Sequence, residues 1–129
     1  MSEPEDARPP LNVFVGDTAA LTLGQARVFR FRRRRRTVEG FVLREASGLV
    51  AYANECPHWH VDLDLGMGEF WDDDSGKILC RNHGALFDAS SGVCEVGPCV
   101  GLALERFELR PEGDGVWVEI VDAEPLEPA

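Results

Sequence analysis

Histidine and basic residues are both scarce in this chain, which has three His and 13 Lys or Arg among its 129 residues. Against them stand 23 Asp and Glu, so the net charge of -10 argues against nucleic acid and anionic membranes as general partners. Uncharged stretches such as 96–104 are less than half as long as the roughly 20 residues that a membrane helix needs. The acidic, proline-rich segment 1–10 also lacks the apolar run of a secretory signal. These absences predict a cytoplasmic protein without a membrane anchor.

Cysteine is sparse as well, and its four positions are 56, 80, 94 and 99. In a reducing compartment such a set is better suited to metal ligation or to free thiols than to a disulfide framework. We expect Cys94 and Cys99 to be buried free thiols, with an internal disulfide between them as the alternative.

Short runs rich in Val, Phe and Leu fill the chain, and turns with Gly and Asp interrupt them at intervals of about ten residues. This pattern is typical of antiparallel all-β domains, and no long amphipathic helix is indicated. The first three predicted strands form a meander and cover 27–32, 38–43 and 49–53. A later hairpin is predicted with strands 103–110 and 116–121 around a turn at 111–115. We expect this hairpin to complete the sheet that the meander begins.

The length of the chain suits one domain with a single modest core, which leaves no room for a second catalytic domain. Neither end can bury enough apolar surface to offset the entropy of ordering it, so 1–10 and 123–129 are predicted to be disordered tails. The remaining residues, 11–122, are predicted to form one domain. Within it, the loop-rich segment 55–100 is expected to be a small subdomain inserted between the strands before and after it.

Four residues of metal-binding types stand in two pairs in this segment. Cys56 and His58 form a Cys-x-His pair, Cys80 and His83 form a Cys-x-x-His pair, and 21 residues separate the two pairs. The four side chains could hold a structural zinc ion, but zinc sites commonly use a Cys-x2-4-Cys knuckle that is missing here. Iron in a 2Fe-2S cluster prefers thiolate, and two imidazoles on one iron make the site less negative, which favours acceptance of an electron. The pairs therefore favour a 2Fe-2S cluster.

The two motifs, their spacing, and the Gly and Phe-Asp that follow the second motif resemble the Rieske family over residues 12–121. The resemblance implies a Rieske-type antiparallel sandwich with a small inserted cluster-binding subdomain. It further implies that Cys56 and Cys80 bind one iron of a single 2Fe-2S cluster, and that His58 and His83 bind the other.

Departures from the family pattern concern the expected reduction potential. Where high-potential members have a disulfide between the two loops, this chain has Val61 and Asn82, and where they have Ser and Tyr hydroxyls it has Ala85 and Phe87. Fewer hydrogen bonds to the cluster leave its reduced, more negative state less stabilised. The resemblance therefore implies a low-potential, soluble type.

Redox proteins are the partners that the resemblance implies, with a reductase as donor and a terminal oxidoreductase such as a ring-hydroxylating oxygenase as acceptor. A catalytic oxygenase subunit would need a further iron held by two His and a carboxylate, and only His60 remains for it. The chain is therefore predicted to carry electrons and not to be catalytic alone. The alternative is a small electron-transfer subunit of a larger reductase, similar to the nitrite reductase small subunit.

A run of basic residues stands apart from the acidic chain, with Arg at every position from 32 to 36. It could be a nucleic-acid arm, but it lies between two strand patterns without an aromatic platform, which favours an exposed hairpin tip. Its functional alternative is a surface that orients the protein on an acidic partner. The acidic stretch 72–77 lacks the flanking helices of a calcium loop and is predicted to be a β-turn.

Overall fold

The computed structural model of the protein describes residues 9–57, 61–82 and 84–126. These residues form ten β-strands and one short 3-10 turn, and no helix among them is long and apolar enough to cross a membrane. The strands are β1 (Leu11–Val15), β2 (Ala26–Arg33), β3 (Arg36–Glu45), β4 (Gly48–Ala53), β5 (Trp71–Asp72), β6 (Lys77–Leu79), β7 (Leu86–Phe87), β8 (Cys94–Val96), β9 (Arg106–Glu112) and β10 (Gly115–Ile120). The prediction of an all-β fold is confirmed.

The strands form two antiparallel sheets. The base sheet has six strands in the order β1-β10-β9-β4-β3-β2, and the second sheet has four in the order β5-β6-β7-β8. The chain leaves the base sheet after β4 and returns to it at β9, which pairs with β4. The second sheet is therefore inserted between two neighbouring strands of the base sheet, and we call residues 55–100 the inserted subdomain.

β3 and β4 each contribute to two separate cores, because successive side chains of a strand point to opposite faces of the sheet. On one face, Phe41 and Tyr52 are fully buried in a core that they share with the inserted subdomain. On the other face, Val42 and Ala51 are fully buried with Phe107 in a core within the base sheet. The alternation along these two strands thus builds both interiors.

Aromatic side chains join the base sheet to the inserted subdomain. The Phe41 ring stacks on the Phe70 ring, with 4.0 Å between the centroids and 10° between the planes. The Tyr52 hydroxyl donates a hydrogen bond of 2.7 Å to the carbonyl of Ala89, and burial raises the pKa of Tyr52 to about 12, which keeps this donor protonated. Full burial of one such aromatic side chain contributes about 1.5–3 kcal/mol. These contacts hold the subdomain against the sheet.

The turn between β2 and β3 has a sequence that is unfavourable for its backbone conformation. Arg33 pairs with Arg36, which leaves Arg34 and Arg35 as a two-residue loop with φ angles of 53° and 68°. Positive φ at both positions defines a type I′ turn, for which Asn-Gly is the preferred sequence. A residue with a Cβ in this conformation costs about 1–2 kcal/mol. The prediction of an exposed hairpin tip is confirmed. Its backbone is strained at Arg34 and Arg35.

Most of the predicted strands are confirmed, with shifted ends. β2, β3 and β4 contain the runs predicted for the meander and extend beyond them by one or two residues. The later hairpin also forms and completes the base sheet, but its predicted boundaries are wrong. Its loop comprises only Gly113 and Asp114, because Pro111 pairs with Val116 inside the ladder. β9 also begins at Arg106, three residues later than predicted.

Near both ends of the chain, the structure contains backbone pairing that was not predicted. β1 has no counterpart among the predicted strands, and it pairs with β10 along its whole length. The tail predicted from 123 begins too early, because Glu124 exchanges backbone hydrogen bonds of 2.9 and 3.0 Å with Arg32. Of the two predicted tails, 1–10 and 123–129, residues 1–8 and 127–129 lie outside the described residues.

Candidate metal centre

Cys56 opens the first loop of the candidate site shortly after β4 ends. Its backbone N–H donates a hydrogen bond of 2.8 Å to the carbonyl of Val61, which closes a loop around the residues between them. The side chain is 1% exposed and belongs to the core that the base sheet shares with the inserted subdomain. The thiol is therefore held in a dry, packed environment.

Cys80 opens a second loop of the same span, directly after β6. Its N–H donates a hydrogen bond of 2.9 Å to the carbonyl of Ala85, five residues ahead, just as Val61 is five residues ahead of Cys56. The carbonyl of Cys80 accepts a bond of 2.8 Å from the N–H of Gly84, whose φ of 73° is a conformation that glycine adopts without steric cost. Cys80 is also fully buried.

A backbone hydrogen bond ties the second loop to the segment that follows the first. The N–H of Arg81 donates to the carbonyl of Leu63 at 2.8 Å. The Arg81 guanidinium also donates to the carboxylate of Glu69 at 3.0 Å and to its carbonyl at 3.2 Å. The second loop is thus tied to the segment that leaves the first, and both cysteines lie in one buried core.

The histidines of the predicted site, His58 and His83, lie outside the described residues, and so does His60. In the sequence, His58 falls between Cys56 and Val61, whose hydrogen bond closes the first loop. His83 falls within the second loop in the same way. Each closed loop therefore contains one cysteine and one histidine of the predicted ligand set.

Asn54 anchors the first loop to the base sheet. Its amide nitrogen donates to Glu39 Oε1 at 2.7 Å and to Asp64 Oδ1 at 3.0 Å, and its Oδ1 accepts from the N–H of Leu63 at 2.7 Å. Asn54 is 4% exposed and Asp64 is 2% exposed, so their mutual bond is shielded from water. Because an unpaired buried polar group costs about 1–3 kcal/mol, this network strongly favours one arrangement of the loop.

Asp64 shapes the exit from the first loop. Its carboxylate accepts hydrogen bonds from the N–H groups of Gly66 at 3.1 Å and Gly68 at 2.8 Å. Burial acts to raise the pKa of Asp64, but the hydrogen bonds from Asn54, Gly66 and Gly68 outweigh it, so the pKa lies below its usual value. The backbone of residues 64–68 therefore wraps around an ionised carboxylate.

Segment 97–101 contacts the second loop at its last residue, Ala85. Gly97 has a φ of 107° and approaches Ala85 so closely that a Cβ on it would lie 2.9 Å from the Ala85 Cα. A larger residue would push the segment away from the loop. The segment carries Cys99 into the core that contains Cys56 and Cys80.

Cys94 and Cys99 are free and buried thiols, which confirms the first of the two predictions made for them. The Cys99 thiol donates a hydrogen bond to Cys94 Sγ at 2.8 Å. Burial first, and then the interactions with Cys94 and Cys56, raise the pKa of Cys99 to about 12. Cys99 therefore stays protonated at neutral pH, and a protonated thiol is a poor nucleophile.

Labelling with a thiol reagent checks this assignment. The native protein with its cofactor is expected to react slowly at all four cysteines, because two are proposed ligands and Cys94 and Cys99 are each 1% exposed. After denaturation in the presence of an iron chelator, four thiols should react per chain. Only two reactive thiols after denaturation would show a disulfide between Cys94 and Cys99.

The donor chemistry of the loops fits an iron-sulfur cluster. Among the described residues, no group of three His, Cys, Asp or Glu side chains is placed to hold a metal ion. Cys56 and Cys80 would supply two soft thiolate ligands of the kind that iron-sulfur clusters prefer. Histidines at positions 58 and 83 would complete the set with one imidazole from each loop.

Sequence reasoning did not identify Asn54 and Asp64 as supports of the site. An Asp shortly before glycines, as in Asp64 with Gly66 and Gly68, is typical of side-chain-to-backbone turns and could have indicated one of them. No local signal points to Asn54, because its partners lie 9 to 15 residues away along the chain.

Comparison with known proteins places this arrangement in a family. The model of the family described as Rieske [2Fe-2S] domain matches residues 12–108. The ferredoxin of carbazole 1,9a-dioxygenase from Nocardioides aromaticivorans IC177 is 26% identical with a TM-score of 0.61, over 86% of this chain and 97% of that one. A complex of reduced oxygenase and oxidised ferredoxin in carbazole 1,9a-dioxygenase matches at 23% identity and a TM-score of 0.62, over 90% of this chain and 97% of that one.

A longer protein shares the fold. The terminal oxygenase of carbazole 1,9a-dioxygenase from Novosphingobium sp. KA1 matches at 21% identity and a TM-score of 0.61, over 90% of this chain and 31% of that one. No curated protein sequence matches the chain.

Because the family model covers most of its length, the chain belongs to the Rieske [2Fe-2S] domain family. Its fold is that of a Rieske-type ferredoxin. The cofactor that defines the family is one 2Fe-2S cluster with two Cys and two His ligands, which confirms the cofactor prediction.

Proposed function

We propose that this protein is a one-electron carrier between a reductase and a terminal oxidoreductase such as a ring-hydroxylating oxygenase, and that it transforms no substrate itself. The observation that carries the proposal is the pair of matched loops. Cys56 closes the first loop on Val61, and Cys80 closes the second on Ala85. A further hydrogen bond ties Arg81 of the second loop to Leu63, two residues beyond the first. Two loops of equal span, each with one Cys and one His, supply the paired ligands that a Rieske cluster needs.

The proposed ligands are Cys56 and Cys80 for one iron and His58 and His83 for the other. The bound cluster supplies a centre that accepts and releases one electron. The chain's own contribution is to hold the ligands in place and to keep the thiolates away from water. Backbone hydrogen bonds close both loops, Asn54 ties the first to the base sheet, and both cysteines are buried.

The comparisons support a carrier more than a catalytic subunit. This chain matches the similar ferredoxin over 97% of that chain, but the terminal oxygenase over only 31%. The ferredoxin of carbazole 1,9a-dioxygenase is known in complex with its oxygenase. A ring-hydroxylating oxygenase is therefore the acceptor that we propose to test first.

Composition and spectroscopy of the purified protein test the proposal. We expect about two iron and two sulfide per chain, and after reduction the EPR signal of a cluster with mixed Cys and His ligands. Coulometric titration should require one electron per chain. A colourless protein that binds one zinc ion would refute the proposal, and so would a reduced protein with the EPR signal of an all-cysteine cluster.

Ala85 and Phe87 underlie the expected low potential, because their side chains offer no hydrogen-bond donor and both are fully buried. Ala85→Ser combined with Phe87→Tyr is expected to raise the midpoint potential by about 40 mV for each hydroxyl that stabilises the reduced state by about 1 kcal/mol. Voltammetry measures the shift.

The matched control is Ala51→Ser with Phe107→Tyr, which introduces the same hydroxyls into the other core. This control should leave the potential at the wild-type value. An unchanged potential in the first variant, with an intact cluster, would contradict the hydrogen-bond explanation.

A further inference from the structure

Positive charge is concentrated at the tip of the β2–β3 hairpin. The sequence has Arg at all positions from 32 to 36, although the whole chain carries a net charge of -10. The inserted subdomain, 55–100, has nine Asp or Glu against two Lys or Arg, which gives it a net charge of -7. We call Arg34, Arg35 and Arg36 the basic tip.

Arg33 is not part of the basic tip, because its side chain is hydrogen-bonded to other parts of the protein and holds the hairpin in place. Its guanidinium donates to the two carboxylate oxygens of Glu105 at 2.9 and 3.0 Å and to the carbonyl of Val121 at 2.9 Å. The side chain of Arg34, in contrast, is 81% exposed and reaches Asp122 only at 3.5 Å. Arg35 and Arg36 are exposed, and across 9–57, 61–82 and 84–126 neither forms an ion pair.

Folding does not explain the turn sequence. Arg34 and Arg35 have φ angles of 53° and 68°, and a turn of this type is made more easily by Asn-Gly. A costly conformation that surrounding structure maintains at an exposed site points to a role other than stability. For exposed guanidinium groups, the natural role is to bind carboxylates or other anions.

The basic tip lies beside the first loop of the cluster site. Ala53, at the end of β4, pairs with Gly40, so the hairpin extends past the point where the chain leaves the sheet towards Cys56. A surface cleft of about 130 Å³ lies between the hairpin and Glu55 and Asp62, the residues directly before and after this loop. Arg36 of the basic tip lines this cleft.

We propose that the basic tip is a docking contact for an acidic surface of the redox partner, and that it orients this partner over the cluster loops. This inference rests on the proposed function, because it requires the cluster in the neighbouring loop. An acidic partner is repelled by most of this acidic protein and attracted by the tip. Repulsion elsewhere and attraction at one point together select one orientation of the encounter.

A gold electrode with a carboxylate-terminated monolayer serves as the acidic probe. At about 10 mM salt, where the screening length is about 30 Å, the wild type should exchange electrons with this surface despite its net charge. Arg34→Glu with Arg35→Glu should slow the exchange at least about tenfold. The control, Arg27→Glu with Arg110→Glu, makes the same change in net charge at exposed positions away from the tip and should keep the wild-type rate.

A neutral turn separates docking from folding. Arg34→Asn with Arg35→Gly relieves the strained φ angles, so the denaturation midpoint should rise, while the loss of two charges should slow the exchange. A rise in the midpoint with an unchanged rate would overturn the proposal.

Equal slowing in the tip reversal and its control would also overturn the proposal, because net charge alone would then explain the effect. Tip-dependent binding of the wild type to a short DNA duplex, without tip-dependent exchange at the carboxylate surface, would point to nucleic acid instead and overturn it as well. Absence of the cluster's EPR signal in solution would defeat the proposed function. Adsorption to the same monolayer, measured by mass, would still show whether the tip binds carboxylates.

Discussion

Replacement of His58 or His83 by alanine is expected to lower iron and sulfide to less than about a tenth of the wild-type content per chain. Cys56 and Cys80 remain in these variants, but one iron would lose half of its protein ligands. A 2Fe-2S cluster with an exposed, incompletely ligated iron is lost during purification. Iron and sulfide analysis, together with the EPR signal after reduction, measures the effect.

His60→Ala is the matched control for both variants, because it removes the third histidine of the chain from the same region of the sequence. It should retain the cluster and the wild-type EPR signal. Cluster loss in His60→Ala with retention in His58→Ala would move the ligand assignment from position 58 to position 60.

Asp64→Asn is expected to destabilise the protein by about 3 kcal/mol, because an amide NH2 in place of Oδ2 cannot accept the hydrogen bond from Gly68 and would face its N–H donor. The remaining neutral oxygen would also accept weaker bonds from Asn54 and Gly66 than the buried carboxylate does. For a domain of this size, the midpoint of thermal bleaching of the cluster should fall by about 10 °C. Asp74→Asn, at an exposed position of the β5–β6 turn, removes the same charge and should leave the midpoint unchanged.

The effect of Asp64 should also depend on pH, because its pKa is lower in the folded protein than its ordinary value. A depressed pKa means that the folded state favours the ionised carboxylate. The stabilisation is therefore fully present above the unfolded pKa of about 4 and is lost as the pH falls through the folded value. The difference in midpoint between wild type and Asp64→Asn should shrink over that acid range. A difference that stays constant there would show that the carboxylate charge is not the cause.

Local sequence patterns sufficed for those parts of the fold that neighbouring residues determine. The meander β2–β4 was predictable because alternating apolar residues and short turns specify strands and hairpins locally. β1 was not, because its five residues follow a proline-rich segment and their partner, β10, lies at the other end of the chain. Pro111 suggested a turn, yet it lies in β9, which shows that tertiary pairing overrode the local signal.

The candidate site shows the same division. The spacing of Cys56, His58, Cys80 and His83 predicted one site from two loops, and the structure places Cys56 and Cys80 in one buried core. The hydrogen-bond network of Asn54 was not predictable, because it depends on how the first loop returns to the base sheet. Ligand types are thus visible in the sequence, whereas the groups that position them depend on long-range contacts.

Because β3 and β4 supply alternate side chains to two interiors, these strands cannot change length by one residue without harm. A single inserted residue before Phe41 would turn that ring, and every side chain beyond it, towards the opposite interior. Insertions and deletions among relatives should therefore be absent from these strands and gather in surface turns. The exposed β5–β6 turn, residues 73–76, is accordingly the place to insert a fluorescent label or an affinity tag.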